Sequence, residues 1–301
     1  MYNTQSPFRA ALLITENCNA SCAHCWFSAK KCGKTMTLEN ASNYIKKLRE
    51  SPSISWLSIS GGEPLLYPDL VESVIRDAYD LGFNVEIVTN CYWAENRNKS
   101  IELLKRLKIA GLTALNISSD DFHQTWVPFE CVKNAYSSCK DLGINMIIMT
   151  TIMKGSHYNL DLISYLIGDK IPSVNEFHPG IHWAKGIESH FVPVGRGSKI
   201  SSKNWIYPSS MLNGPCTNVL RDLGVDIDGN VMPCCSALAR LKNLKLGNFK
   251  RRNLSEILEM AYKKQYFKTL SSLGPTQLAE RGFANKYTSK CHLCYDVLKK
   301  F

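Results

Sequence analysis

The sequence predicts an α/β fold, a parallel sheet with helices packed outside it, followed by a smaller module of different build. Three observations carry this. Strand-like and helix-like stretches alternate through the first two-thirds of the 301 residues, and repeated βα units give parallel strands with outer helices. Pro68 and Pro128 stand where helices start, where a missing N–H costs nothing. Gly82, Gly111 and Gly143 stand where helices end and the chain turns into the next strand.

Strands are expected near 8–15, 54–60, 84–90, 113–118, 144–151 and 174–178, and helices near 37–51, 68–82, 95–110, 128–142 and 157–169. The first strand contains the apolar run Ala10 to Ile14. The second is the alternating stretch Ile54 to Ser60, closed by the turn Gly61-Gly62-Glu63-Pro64. The third ends Val88-Thr89-Asn90, and the fourth ends Asn116-Ile117-Ser118-Ser119-Asp120-Asp121-Phe122-His123. Thr150, Thr151 and Lys154 end the fifth, and Glu176 and His178 end the sixth. Met146, Met149 and Met153 fit strand and core filling better than metal ligation. From about residue 200 the alternation stops, which divides the chain into 1–200 and 201–301. Within the second part, Leu223 to Pro233 reads as a β-hairpin turning at Asp228-Gly229, and a helix is expected near 252–270.

At 45% hydrophobic residues the chain can bury a sizeable core. It has no internal repeat. Met1 to Gln5 is polar, and Ala10 to Ile14 is too short for a signal segment or a membrane span. A soluble, cytoplasmic protein with no membrane partner is expected. Twelve cysteines in such a chain argue for metal ligation or redox chemistry, not disulfides. The net charge is +10, but the basic residues fall in short groups such as Lys250-Arg251-Arg252, without interleaved aromatics. A solvated surface is the better account, and nucleic acid is disfavoured as a partner.

Cys18, Cys22 and Cys25 lie in Cys18-Asn19-Ala20-Ser21-Cys22-Ala23-His24-Cys25, directly after the first strand. That is one thiolate fewer than an ordinary four-cysteine iron–sulfur cluster uses. A cluster on three thiolates leaves one iron open, as a site that activates a ligand requires. The alternative is a zinc knuckle with a fourth ligand from His24 or Cys32. Gly61-Gly62-Glu63-Pro64, one βα unit later, favours the open cluster, because a glycine turn is where backbone groups approach a ligand closely.

With these two motifs the chain resembles the radical S-adenosylmethionine (SAM) enzymes, whose motif is Cys-x3-Cys-x-aromatic-Cys; His24 stands at the aromatic position. The resemblance implies a TIM-like partial (β/α)6 barrel with its site at the carboxyl ends of the strands. It implies a [4Fe-4S] cluster on Cys18, Cys22 and Cys25 whose fourth iron chelates SAM. It implies that Gly61, Gly62 and Glu63 serve the amino end of SAM, and that Asn90, Ser118 and Asp120 lie near its ribose and carboxylate. Reductive cleavage of SAM would then yield a 5′-deoxyadenosyl radical, supplied with electrons by a low-potential flavodoxin- or ferredoxin-like donor. Val192 to Gly197 resembles a loop of related enzymes in which Arg196 is a carboxylate partner or a solvated residue. Asp121 and His123 are a helix cap and a loop histidine, or face substrate.

Cys216, Cys234, Cys291 and Cys294 supply four thiolates around the predicted hairpin, enough for a second, fully ligated cluster or for zinc. This part resembles the shortened SPASM, or twitch, module of radical SAM enzymes. Cys235 follows Cys234 directly, and the two could exchange roles. Cys131 and Cys139 read as buried hydrophobes, while Cys32 and Cys91 near the barrel mouth are open.

The whole pattern is similar to one subgroup, the radical SAM epimerases that make epipeptides from ribosomal peptides. The shared pieces are residues 18–25, Thr89-Asn90 with Trp93-Ala94, Ile117-Ser118 with Asp120 and His123, Met232-Pro233-Cys234-Cys235-Ser236, and Cys291-x2-Cys294. In that subgroup the second cysteine of Pro-Cys-Cys, here Cys235, returns a hydrogen atom to the peptide α-carbon. The resemblance therefore implies L-to-D epimerisation of a ribosomally synthesised precursor peptide. A twitch-type dehydrogenase, a thioether or carbon–carbon peptide cyclase, and a non-enzymatic two-zinc module are the alternatives. No separate leader-peptide-binding domain is expected before the first strand.

Overall fold

The computed structural model describes residues 6–176, 183–208, 212–279 and 286–300. Its first two-thirds follows the expected βα order. β1 (Arg9–Thr15), α1 (Leu38–Arg49), β2 (Trp56–Gly61), α2 (Pro68–Asp80), β3 (Asn84–Thr89), α3 (Arg97–Ala110) and β4 (Leu112–Ser118) come first. The short α4 (Asp121–Gln124), α5 (Phe129–Leu142), β5 (Asn145–Ile152), α6 (Leu160–Ile167) and β6 (Ala184–His190) complete a partial (β/α)6 barrel. β1 to β6 pair parallel in sequence order.

Helix ends follow local chemistry. Pro68 opens α2, and Thr37, Asn96 and Asn159 cap α1, α3 and α6 through their side chains. Gly111, Gly143 and Gly168 end α3, α5 and α6 in the left-handed region that glycine tolerates. Alternate strand residues split between two environments. Ala10, Leu12 and Ile14 of β1 share the hydrophobic core with Ile45 and Leu48 of α1 and Val74 and Ile75 of α2. Full burial of each such aliphatic side chain is worth roughly 1.5–3 kcal/mol. The other face looks into the barrel.

The sheet does not stop at the expected boundary near residue 200. β7 (Asp222–Val225) pairs parallel with β1, and β8 (Asn230–Met232) and β9 (Gly247–Asn248) extend it antiparallel. The order is β6-β5-β4-β3-β2-β1-β7-β8-β9. The predicted hairpin is β7–β8, turning at Gly229 with positive φ. α7 (Leu254–Lys263), α8 (Gln265–Ser272) and α9 (Lys290–Leu298) follow.

Two expectations need correction. The sixth strand is not at 174–178 but at Ala184–His190. β6 is the edge of the sheet and only half-buried, so its sequence Ala-Lys-Gly-Ile-Glu-Ser-His carries little apolar alternation. Gly186 sits where Leu160 of α6 would strike a Cβ at 2.3 Å. Glu176 lies in a turn, and His178 lies outside the described residues. The single helix expected near 252–270 is two, broken at Lys264, whose backbone is extended.

Arg9 ties the two parts of the sheet together inside the barrel. Its Nε and Nη2 donate to the two carboxylate oxygens of Asp222 at 2.9 and 2.6 Å, and Nη1 donates to Glu86 at 3.1 Å. Glu86 and Asp222 are buried. Removing the guanidinium leaves two buried carboxylates without their cation. Arg9→Met is therefore expected to destabilise the protein by about 2–4 kcal/mol in urea unfolding. An unchanged midpoint would show that the tie contributes nothing.

Candidate active site

The cysteine loop is held by β1 at its base and closed on itself. Thr15 bridges to Thr35, Asn17 to Lys30, and Cys18 N donates to Lys30 O at 2.8 Å. The glycine turn after β2 clamps it from beside. Gly62 N donates to Thr15 O and Glu63 N to Asn17 O, both at 2.7 Å. A Cβ on Gly61 would lie 2.4 Å from Thr15 O, and one on Gly62 2.0 Å from Asn17 O. The close approach that requires glycine here is to the chain's own cysteine loop.

Glu63 is fully buried and braces the next strand end. Its Oε1 accepts from Thr89 Oγ1 and Leu65 N, and its Oε2 accepts from Asn90 N at 2.8 Å. Burial pushes its carboxyl up to about 7 against those three hydrogen bonds. The Asn90 side chain reaches back to Asn19 Oδ1 at 2.9 Å. Arg196 donates from Nε to Cys22 O at 2.9 Å and from Nη1 to Ala29 O. It pins the far side of the cysteine loop.

All these groups surround one cavity of about 690 Å³ at the carboxyl end of the strands. Its walls include Cys18, Cys22 and Cys25, with His24, Gly61, Gly62, Glu63, Asn90, Ser118, Asp120 and Arg196. Three thiols, Cys22 buried and Cys18 and Cys25 half-buried, line it together. Burial pushes Cys18 up to about 11 and Cys22 up to about 12. Thiolates at these positions need a strong cationic centre, and an iron–sulfur cluster on three cysteines meets that need.

His24 stacks on Phe122 at 4.4 Å and meets His123 edge-on at 4.9 Å. Burial lowers its pKa to about 4, so the ring is neutral. Its Nδ1 is buried without a partner among the described residues. Asp120, not Asp121, caps α4, accepting from Phe122 N and His123 N at 3.0 Å and contacting His123 Nδ1 at 2.9 Å. Burial pushes its carboxyl up, but His123 outweighs that and holds it below the usual range. One oxygen of Asp120 is thereby committed to the cap. Asp121 instead accepts from His157 N and Tyr158 N.

Cys216, Cys234, Cys291 and Cys294 line a second, small cavity. Cys291 and Cys294 stand three residues apart on α9, on neighbouring positions of one helix face. Burial raises Cys234, Cys291 and Cys294 above the ordinary thiol range. Four sulfurs around one small cavity suit a closed, fully ligated centre. Ser236, Lys290 and Cys291 border both cavities, so the two sulfur sites adjoin.

Cys235 lines neither. Its backbone N–H donates to Asp222 O at 2.9 Å. Burial, then the charge of Asp222, pushes its thiol up to about 12 against the pull of Arg9. It is held as S–H beside the Arg9–Asp222–Glu86 network inside the barrel. Cys131 and Cys139 are buried as expected, Cys91 is fully buried, and Cys32 is exposed. The sequence reading missed Glu188 and His190, which line the large cavity from the misplaced sixth strand, and Lys290, which no motif marks.

Residues 12–162 match the family described as the Radical SAM superfamily, and residues 216–295 match the SPASM family, an iron-sulfur cluster-binding domain. Among curated proteins the chain is 24% identical over 244 residues to the peptide biosynthesis protein YydG of Bacillus subtilis, covering 78% of this chain and 70% of YydG. It is 28% identical over 203 residues to Fe-coproporphyrin III synthase of Methanosarcina barkeri, covering 64% of this chain and 46% of that protein. Among solved structures, BtrN in complex with AdoMet and 2-DOIA aligns with a TM-score of 0.53 at 15% identity, covering 89% and 88% of the two chains. Streptococcus suis SuiB bound to S-adenosylmethionine aligns at 0.50 with 12% identity, covering 88% and 67%. At these identities the structures show a shared fold. No helix among the described residues is long and apolar enough to cross a membrane.

The clamp on the cysteine loop is testable without turnover. Gly62→Ala places a methyl group into Asn17 O and must displace the loop from the turn. The variant is expected to bind roughly half the iron of the parent after anaerobic reconstitution, keeping only the second centre, taking four irons per cluster as about the full complement. Full iron content in the variant would show that the close approach is dispensable.

Proposed function

The chain belongs to the radical SAM superfamily and carries SAM and two [4Fe-4S] clusters as its cofactors; from that premise we propose that it epimerises residues of a ribosomally made peptide from L to D. Both family matches set aside the two-zinc module. In this reading Cys18, Cys22 and Cys25 hold the SAM-cleaving cluster, and Cys216, Cys234, Cys291 and Cys294 hold the second. Residues 1–200 form the barrel and 201–301 the auxiliary module. The peptide class draws on the similarity to YydG.

The observation that carries the reading is Cys235. It is a buried thiol apart from both sulfur sites, set among inward-facing residues of the barrel. Bound in the large cavity, SAM and the cluster supply a 5′-deoxyadenosyl radical that removes one hydrogen atom from a substrate carbon. The chain's own residues do the rest. The Glu63 brace and the Arg196 pin fix the cysteine loop, and Asp120 and neutral His24 shape the wall beside it. Val88 and Ser118 line the cavity, while Glu86, two residues earlier on β3, lies near Cys235. A peptide α-carbon held between these levels is reached from the cavity on one face and from Cys235 on the other.

The Cys235 S–H bond breaks and its hydrogen atom forms the new Cα–H bond, which inverts the centre. The thiyl left behind takes one electron and one proton to return to the thiol. That electron comes from a low-potential flavodoxin- or ferredoxin-like donor, which places the protein in a reducing, cytoplasmic setting. Because burial keeps Cys235 protonated, the hydrogen atom is in place before the α-hydrogen is taken.

Incubating reduced enzyme with a candidate precursor peptide in deuterated water tests this. Uptake of one deuterium per modified residue, with no other mass change, is expected. Cys235→Ala is expected to keep its iron and to form 5′-deoxyadenosine, while D-residue formation falls by about a hundredfold or more, the scale of losing a positioned proton or hydrogen relay. Loss of two hydrogens would instead mean dehydrogenation or crosslinking. Undiminished epimerisation by Cys235→Ala would remove the donor role.

A further inference from the structure

The barrel interior holds a second cavity that the reaction described above does not use. It measures about 620 Å³ and opens at the amino-terminal end of the strands. It belongs to the same lumen as the SAM cavity. Along β4 Ser118 lines the upper cavity and Asn116 the lower; along β3 Val88 lines the upper and Glu86 the lower. Residues two apart on a strand share a face and lie about 7 Å apart along it. The two cavities are therefore stacked floors of one channel, and Cys235 lies close to Arg9, Asp222 and Glu86, which line the lower floor.

The lower floor has the makings of a binding site. Arg9 already takes both carboxylates present, Glu86 and Asp222. Arg221 and Lys185 also line the cavity, and among the described residues neither has an ion-pair partner. Arg221 Nε is buried with no hydrogen-bond partner among the described residues. Asn116 is 5% exposed, and among the described residues its Oδ1 has no donor. Trp56 and Trp183 give the walls apolar faces. Two unspent cations ask for an anion, the orphaned amide oxygen asks for an N–H, and the indoles ask for an apolar body. A peptide segment bearing a carboxylate satisfies all three.

Resting on the peptide reading above, we propose that the lower cavity is a subsite for a carboxylate-bearing segment of the substrate peptide, held by Arg221 and Lys185 with Asn116 accepting from its backbone. The segment anchors the peptide below Cys235, so the residue to be modified sits between that thiol and the SAM cavity. The carboxylate is the peptide's C-terminus or an acidic side chain.

The test is selection on reconstituted protein from a pooled library of N-acetylated random hexapeptides, made once as C-terminal acids and once as amides, with retained peptides read by mass spectrometry. Retention of carboxylate-bearing peptides is expected to exceed that of neutral amides by about tenfold, the worth of one charge-assisted hydrogen bond. Preference for every free acid identifies the C-terminus as the source. Preference confined to peptides with Asp or Glu identifies the side chain. Arg221→Gln with Lys185→Gln should erase the preference while iron content stays at the parent level. Equal retention of carboxylate-bearing and carboxylate-free peptides, no retention at all, or an unchanged preference in the double variant would overturn the proposal. Because the readout needs no turnover, a lost preference leaves the epimerase reading standing. A clear preference with no deuterium uptake by any retained peptide overturns that reading and leaves the subsite.

Discussion

The constraint on which the site depends is the contact between the end of β1 and the glycine turn after β2. Gly62 N and Glu63 N donate to Thr15 O and Asn17 O across a gap that leaves no room for a Cβ. This fixes the root of the cysteine loop to the sheet. Glu63 carries the restraint one strand further by accepting from Thr89, Asn90 and Leu65. Arg196 closes the loop from the opposite side through Cys22 O. Three cysteines on an eight-residue stretch of loop thus gain a rigid frame from β1, β2, β3 and the segment after β6.

The second organising feature is the two-sided use of strand alternation. One face of each strand joins the hydrophobic core with the outer helices. The other lines a lumen that is polar along much of its length, with Arg9, Glu86, Asn116 and Asp222 below and Ser60, Ser118 and Asn90 above. A barrel interior packed only with aliphatic layers would be more stable but closed. The Arg9 fork offsets much of the cost of the buried carboxylates while keeping the interior open. β7 joins β1 through this same fork, so the auxiliary module is attached to the sheet at the place where Cys235 enters the barrel.

Much of this was legible in the sequence. The cysteine spacing, the glycine turn and the Pro and Gly helix boundaries are local signals, and they located five of six barrel strands, the β7–β8 hairpin and the cysteine and glycine loops that wall the large cavity, whereas Glu176, expected at the end of the sixth strand, lies in a turn before it. What was illegible depends on tertiary context. β6 is an edge strand whose alternation is diluted by Lys185, Gly186 and Glu188, so a more apolar segment before it drew the assignment. The glycine pair was legible as a close approach, but not that the approaching group is Asn17 O. Asp120 rather than Asp121 caps α4, a choice between adjacent residues that sequence does not decide. The Arg9–Asp222 fork joins residues 213 positions apart and leaves no sequence pattern.

The most direct measurement is the iron, acid-labile sulfide and zinc content of the anaerobically reconstituted protein, beside a variant with Cys18, Cys22 and Cys25 all replaced by alanine. The account predicts about eight irons and eight sulfides in the parent, four for each cluster, with the variant holding about four and failing to cleave SAM. Zinc in place of iron and no labile sulfide in the parent would contradict it.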